Sequence, residues 1–142
     1  MKIFEKSGFS LMELMIVVAV MGIVSAIAAP NYIDYMANER LKGAARMVMS
    51  DLMLARAKAV TQNINVTVAF TSNYSYTITG DATARDIRND YYDVTFSASA
   101  NPIFYPRGTT GGTTVTLTSA RTGASKCVMA ASTGRVKIDA CP

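Results

Sequence analysis

Few residues in this chain carry distinctive chemistry. They are a carboxylate, Glu13, inside an apolar run, and a cysteine pair, Cys127 and Cys141, close to the C-terminus. To these add a basic alternation, Arg135 and Lys137, and a scatter of acidic residues between positions 81 and 93. A lone charge within a bilayer costs about 3 kcal/mol or more, so Glu13 either snorkels to the interface or has a cationic partner. In a small exported domain two cysteines read as a disulfide, and only the Cys127–Cys141 pairing is available; free thiols in a cytosolic protein are the alternative. Such a bridge would stabilise the end of the chain by about 3 kcal/mol. Arg135 and Lys137 alternate onto one strand face, where Lys126 or Arg121 could join them as a phosphate-contacting patch. The plainer reading is a solvent-facing hairpin whose charges keep the domain soluble. Asp81, Asp86, Asn89, Asp90 and Asp93 are spaced too irregularly for a calcium loop and read as a solvated loop.

The chain has no histidine, so its serines and threonines lack an imidazole base. It also lacks a P-loop, a C-x-x-C and a nucleophile elbow. No catalytic residue, metal, cofactor or small-molecule substrate is expected.

The elements that position these residues follow from hydropathy. In 142 residues, half are hydrophobic and 17% are charged, which excludes a disordered chain. No charge occurs from Leu14 to Ala29. As a helix, the stretch from Phe9 to Ala29 is about 31 Å long, enough to cross a hydrocarbon core. Lys2 and Lys6 on its short N-terminal side predict an N-inside, head-outside topology. Beyond Pro30, which should bend the rod, a helical pattern runs to about Gln62. Leu41, Ala44, Ala45, Val48, Leu52, Ala55 and Ala59 form its apolar stripe, and Arg40, Lys42, Arg46, Asp51, Arg56 and Lys58 take the other positions. Met47, Met49 and Met53 read as packing, with helix–helix contact as a second use. Gly43 should weaken the helix by about 1 kcal/mol.

From Ile64 the period changes to two. INVTVAF, YSYTIT, YDVTFSA and TTVTLTS read as strands, broken into a meander at Asn73, Gly80 and Gly111-Gly112. KCVMAA and RVKIDAC, joined through Ser132-Thr133-Gly134, read as a closing hairpin that brings Cys127 near Cys141. The expected fold is α+β: a long N-terminal helix, membrane-spanning then amphipathic, on a small antiparallel β-sheet head. Charge is unevenly placed. Residues 63–100 carry a net −2 and residues 101–142 a net +4, so the basic C-terminal third suits an anionic partner.

The segment KSGFSLMELMIVVAVMGI resembles the type III signal of type IV pilins and type II secretion pseudopilins: a basic leader ending in Gly8, then Phe9, Ser10, Leu11 and Glu13. Pro30 falls where many pilins carry a helix-bending proline. The resemblance implies cleavage between Gly8 and Phe9 by a prepilin peptidase at the cytoplasmic face, and N-methylation of Phe9. It also implies that Glu13 pairs with the α-amino group of Phe9 on a neighbouring subunit and so sets register. A conventional signal peptide, with Ala26, Ala28 and Ala29 before a cut near Pro30, is the alternative. The implied organisation is a leader (1–8), a transmembrane and filament-core helix (9–29), an amphipathic continuation (30–62) and a β-rich periplasmic head (63–142).

LMLARAKAVTQNINVTVAF, NPIFYPRGTTGG and STGRVKIDAC resemble the GspH/FimT branch of that superfamily. This implies a non-enzymatic minor subunit at or near the tip of a type IV pilus, anchored in the inner membrane, whose partners are other pilin subunits and which helps to initiate assembly. A minor pseudopilin of a type II secretion system is the first alternative. The second is a pilin that captures double-stranded DNA during uptake. FimT-like subunits carry a G-R-x-R motif implicated in DNA binding, matched here by Gly134-Arg135-Val136-Lys137. Lys137 in the final place keeps the charge but loses bidentate phosphate geometry.

Overall fold

The computed structural model describes residues 9–141. The leader, and Gly8 of the expected cleavage site with it, lie outside the described residues. Two compact units divide between Tyr35 and Met36, inside the helix α1 (Leu11–Gln62).

In the N-terminal unit, Ser10 starts the helix. Its Oγ accepts from the Met12 amide at 3.3 Å and its carbonyl from the Leu14 amide at 3.1 Å, the position of an N-cap. Glu13 follows in the first turn, where a carboxylate meets the positive end of the helix dipole. Pro30 lies inside α1 without ending it. The missing Pro30 amide leaves the Ala26 carbonyl without its usual donor, and next to it the Asn31 Nδ2 donates to the Ile27 carbonyl at 3.2 Å. Large apolar side chains from Leu11 to Ile27 are exposed, and an 18-residue window of this helix has a mean hydropathy of 2.5 with none of it buried.

In the C-terminal unit the rest of α1 packs on two antiparallel sheets. The buried helix positions are Ala37, Leu41, Ala44, Ala45, Val48, Asp51, Leu52, Ala55 and Ala59. The apolar stripe read from the sequence is therefore the packed face, and each leucine on it contributes about 1.5–3 kcal/mol by leaving water. Asp51 corrects that reading. It lies at three- and four-residue spacing from Val48 and Ala55, on the buried face, where it accepts the Tyr76 hydroxyl at 2.5 Å and pairs with Arg85 at 3.0 Å. A buried carboxylate needs such partners. Gly43 also has a packing reason, since a Cβ there would lie 2.7 Å from Tyr91 Cε1.

The first sheet has the order β3-β2-β1-β5, built from β1 (Val66–Phe70), β2 (Ser75–Ile78), β3 (Arg85–Asp86) and β5 (Ile103–Phe104). The second has the order β4-β6-β7-β8, from β4 (Val94–Ala98), β6 (Thr113–Ser119), β7 (Ser125–Ala130) and β8 (Val136–Asp139). The expected single meander is thus two sheets. β5 leaves the path between β4 and β6 and returns to β1, pairing Thr67 with Ile103 and Val66 with Phe104. Pro102 and Pro106 flank β5, which allows it only two residues of ladder. In β6 the TTVTLTS alternation is realised directly, with Val115 and Leu117 fully buried. Phe70 and Tyr76 of the first sheet meet Phe96 of the second at ring-centroid separations of 5.3 and 5.7 Å, an aromatic cluster that joins the layers.

Candidate functional site

Two regions concentrate the chemistry. The first is the start of α1. Phe9 is 77% exposed. Glu13 has no hydrogen-bond or ion-pair partner among the described residues, and the surface around it is formed by Leu11, Met12, Leu14, Met15 and Ile16, all exposed. The contiguous apolar surface is unfavourable in water, whereas the Glu13 carboxylate within it, met only by the helix dipole among the described residues, is unfavourable in a bilayer.

The second region is the β7–β8 hairpin. The disulfide between Cys127 of β7 and Cys141, just past β8, closes its open end with the two Cα atoms 5.0 Å apart. At the other end, the Gly134 amide donates to the Ala131 carbonyl and the Ala131 amide to the Arg135 carbonyl. Gly134 takes a φ of +79°, and a Cβ there would lie 1.7 Å from the Gly108 carbonyl oxygen. Only glycine fits this approach. The same carbonyl accepts from Arg56 Nε of α1 at 3.0 Å, so the helix, the 105–112 loop and the hairpin turn converge on one point.

The four cations expected to act together are divided. Arg135, just before β8, and Lys137 border one depression with Ser99, Thr114 and Met129, and Arg135 also borders a second cavity against α1. Lys137 is already paired with Asp139 at 2.7 Å, and this, with the Ala140 amide, holds the Asp139 carboxyl below the usual carboxylate range. Lys126 stands opposite Leu117 and lines a different cavity with Lys42 and Arg46 of α1. Arg121 is in the β6–β7 turn, at the far end of β7 from Arg135.

The acidic segment is also organised differently from a solvated loop. Asp81 pairs with Lys58 and Arg85, Asp86 with Arg88 at 2.5 Å, and Asp93 with Arg40 at 2.7 Å. Lys58 and Arg40 belong to α1, so two of these pairs tie the loop to the helix. Hydrogen bonds from Lys58 and Arg88 hold the Asp81 and Asp86 carboxyls below their ordinary value. Among the described residues no group of three or more histidine, cysteine or acidic side chains could hold a metal ion.

Sequence reasoning did not single out the cleft between α1 and β8. One cavity there, of about 650 Å³, is lined by Met53, Arg56 and Val60 of α1 and by Gly134, Arg135 and Val136. A second, of about 230 Å³, is lined by Lys42, Arg46, Lys126 and Ile138. The signal available was the helical spacing of Lys42, Arg46, Met53, Arg56 and Val60, which places them along one side of α1 next to the buried stripe.

Comparison with known proteins places this arrangement. A model of the prokaryotic N-terminal methylation motif matches residues 4–29. A fimbrial protein of Pseudomonas aeruginosa is 36% identical over 94 residues, covering 66% of this chain and 51% of that one. The type IV major fimbrial protein FimA of Dichelobacter nodosus is 54% identical over 41 residues, covering 29% and 26%. The chain spans between about a quarter and about half of the curated relatives it matches. Among solved structures, the type IV minor pilin FimU of Pseudomonas aeruginosa superposes with a TM-score of 0.61 at 17% identity, covering 74% of this chain and 92% of that one. The minor pseudopilin EpsH from the type 2 secretion system of Vibrio cholerae gives 0.56 at 14% identity, covering 71% and 97%. These two show a shared fold. A model of the type II transport protein GspH matches residues 44–134, well over half of the chain, and the chain belongs to that family.

Proposed function

We propose that this chain is a minor subunit of a type IV pilus, cut between Gly8 and Phe9 by a prepilin peptidase and N-methylated at Phe9. The apolar part of α1 holds it in the inner membrane with its head in the periplasm. It then enters the filament at or near the tip and helps to start assembly. The observation that carries this reading is the exposed apolar surface from Leu11 to Ile27 with Glu13, unpartnered among the described residues, at its start. A bilayer satisfies the apolar part and a filament core satisfies both, if the amino group of a neighbouring Phe9 meets the carboxylate. In low dielectric that pair neutralises itself, and wrong register leaves both charges unpaired. Family membership and the fold shared with FimU favour a minor over a major subunit.

A minor pseudopilin of a type II secretion system is the second reading, supported by membership of the GspH family of type II transport proteins and by the fold shared with EpsH. The same anchor serves both machines. Capture of duplex DNA through Arg135, Lys137, Lys126 and Arg121 has less support, because these cations do not form one surface and Lys137 has an internal partner.

The test is to express the full chain with and without a prepilin peptidase and to determine the N-terminal residue by mass spectrometry. N-methylated Phe9 is expected only with the peptidase. An intact Met1, or a cut near Pro30, overturns the filament reading. In the source organism, loss of surface pili on deletion selects the pilus, and loss of protein secretion selects the pseudopilus.

A further inference from the structure

β8 is the last strand of its sheet, and its free edge opens into the cleft beside α1. The register settles which backbone groups lie on that edge. The Ala131 amide donates to the Arg135 carbonyl, so Ala131 and Arg135 are a hydrogen-bonded pair, and pairs of this kind recur at every second residue of an antiparallel ladder. Arg135, Lys137 and Asp139 therefore direct their amides and carbonyls to β7. Val136 and Ile138 direct theirs away from it. Among the described residues no backbone partner is found for these outward groups, and the two residues line the two cavities of the cleft. An unpaired edge of this kind is a template for an added strand.

The walls state what that strand carries. Arg46 and Lys126 stand at one end and Arg135 at the other; among the described residues none of them is in a salt bridge, Lys126 having only a longer-range attraction to Asp139, while Met53 and Val60 supply exposed apolar surface between α1 and the strand. Among the described residues no carboxylate lines either cavity. A second copy of this chain is poorly suited as the donor, because three of the four aspartates of its 81–93 segment, Asp81, Asp86 and Asp93, are held by internal cations, which leaves Asp90 alone. We propose that the β8 edge accepts, as an added β-strand, an extended acidic segment from a different subunit. Backbone bonds to Val136 and Ile138 would give affinity, and carboxylates meeting Arg46, Lys126 and Arg135 would fix the direction and exclude basic segments. The filament reading enters only in naming the donor as another subunit; the binding itself does not depend on it.

The experiment uses the full chain in non-ionic micelles and, as the probe, a synthetic peptide of alternating valine and glutamate, read by amide hydrogen exchange. At saturating peptide the Val136 and Ile138 amides should slow about tenfold or more, with Lys137, already bonded to β7, unchanged. A peptide N-methylated on alternate residues, or an Arg46→Glu/Arg135→Glu variant, should lose the effect. Four outcomes overturn the proposal: no binding at low salt, binding without slowing at Val136 and Ile138, equal slowing by the N-methylated peptide, or equal slowing by an alternating valine–lysine peptide. N-terminal sequencing tests the filament reading separately, so either can fail alone.

Discussion

At Gly43 two preferences oppose each other. Alanine would gain about 1 kcal/mol of helix propensity, but its Cβ would lie 2.7 Å from Tyr91 Cε1, inside contact distance of a ring packed against the core. Overpacking of this kind costs about 1–3 kcal/mol, so Gly43→Ala should destabilise the protein in thermal denaturation. In a Tyr91→Ala background the same change should become neutral or stabilising, and the double-mutant cycle separates the two effects. Asp51 teaches a related lesson. Its burial was legible from spacing, since it lies three residues after Val48 and four before Ala55, but reading it by residue type placed it with the solvent-facing residues. Asp51→Ala should cost about 2–3 kcal/mol by leaving the Tyr76 hydroxyl and Arg85 without their acceptor. Tyr76→Phe, which keeps the Asp51–Arg85 pair, should cost less in the same denaturation series. Glu13 differs from both, because no partner for it is found among the described residues. Glu13→Ala should leave the stability of the head unchanged and reduce entry into filaments, measured as the ratio of assembled to membrane-held subunit. Wild-type entry would remove the register role.

The elements divide by how strongly their sequence repeats. Helix α1 and strand β6 were readable because three- and four-residue spacing in one and strict alternation in the other admit few alternatives. The two-residue strands β3 and β5 carry no period, and their placement depends on long-range partners: Arg85 on Asp51 and Asp81, and Phe104 under β1. The division into two sheets follows from β5 and was hidden for the same reason. The candidate site was legible in part. The apolar first part of α1 is local in sequence, and so is the Arg135/Lys137 alternation. The cleft is not, since it needs α1 and β8, more than seventy residues apart, to lie side by side. The disulfide gives the hairpin its own test. It closes a loop with a sequence separation of 14, for which chain entropy gives about 3 kcal/mol. The pair Cys127→Ala/Cys141→Ala should lower stability by about that amount, and reductant should then no longer shift the thermal midpoint. A midpoint that still falls with reductant would mean the loss arises elsewhere.

Over the whole molecule, protonation sets the limits of the folded state. Asp81, Asp86 and Asp139 titrate below the ordinary carboxylate range because Lys58, Arg88 and Lys137 hydrogen-bond their charged forms. A carboxyl with a depressed folded value stabilises the fold above its unfolded value, about 3.9, and the contribution disappears as pH falls through the folded value. Tyr76 has the opposite sign. Burial first, and then its hydrogen bond to Asp51, raise its hydroxyl far above the ordinary value. The unfolded chain would ionise this tyrosine near pH 10 while the folded chain keeps its proton, so stability falls as pH rises beyond about 10. The expected profile is a plateau from about pH 5 to about pH 9, with an acid limb and an alkaline limb of separate origin. Salt should weaken the acid limb, whose pairs run from partly buried (Lys58–Asp81) to exposed (Lys137–Asp139), more than the alkaline one, which is set in the core. Thermal denaturation of the full chain in non-ionic detergent across this range separates them: Tyr76→Phe should flatten the alkaline limb and leave the acid limb in place. An alkaline limb of unchanged steepness in that variant would show that Tyr76 does not govern it.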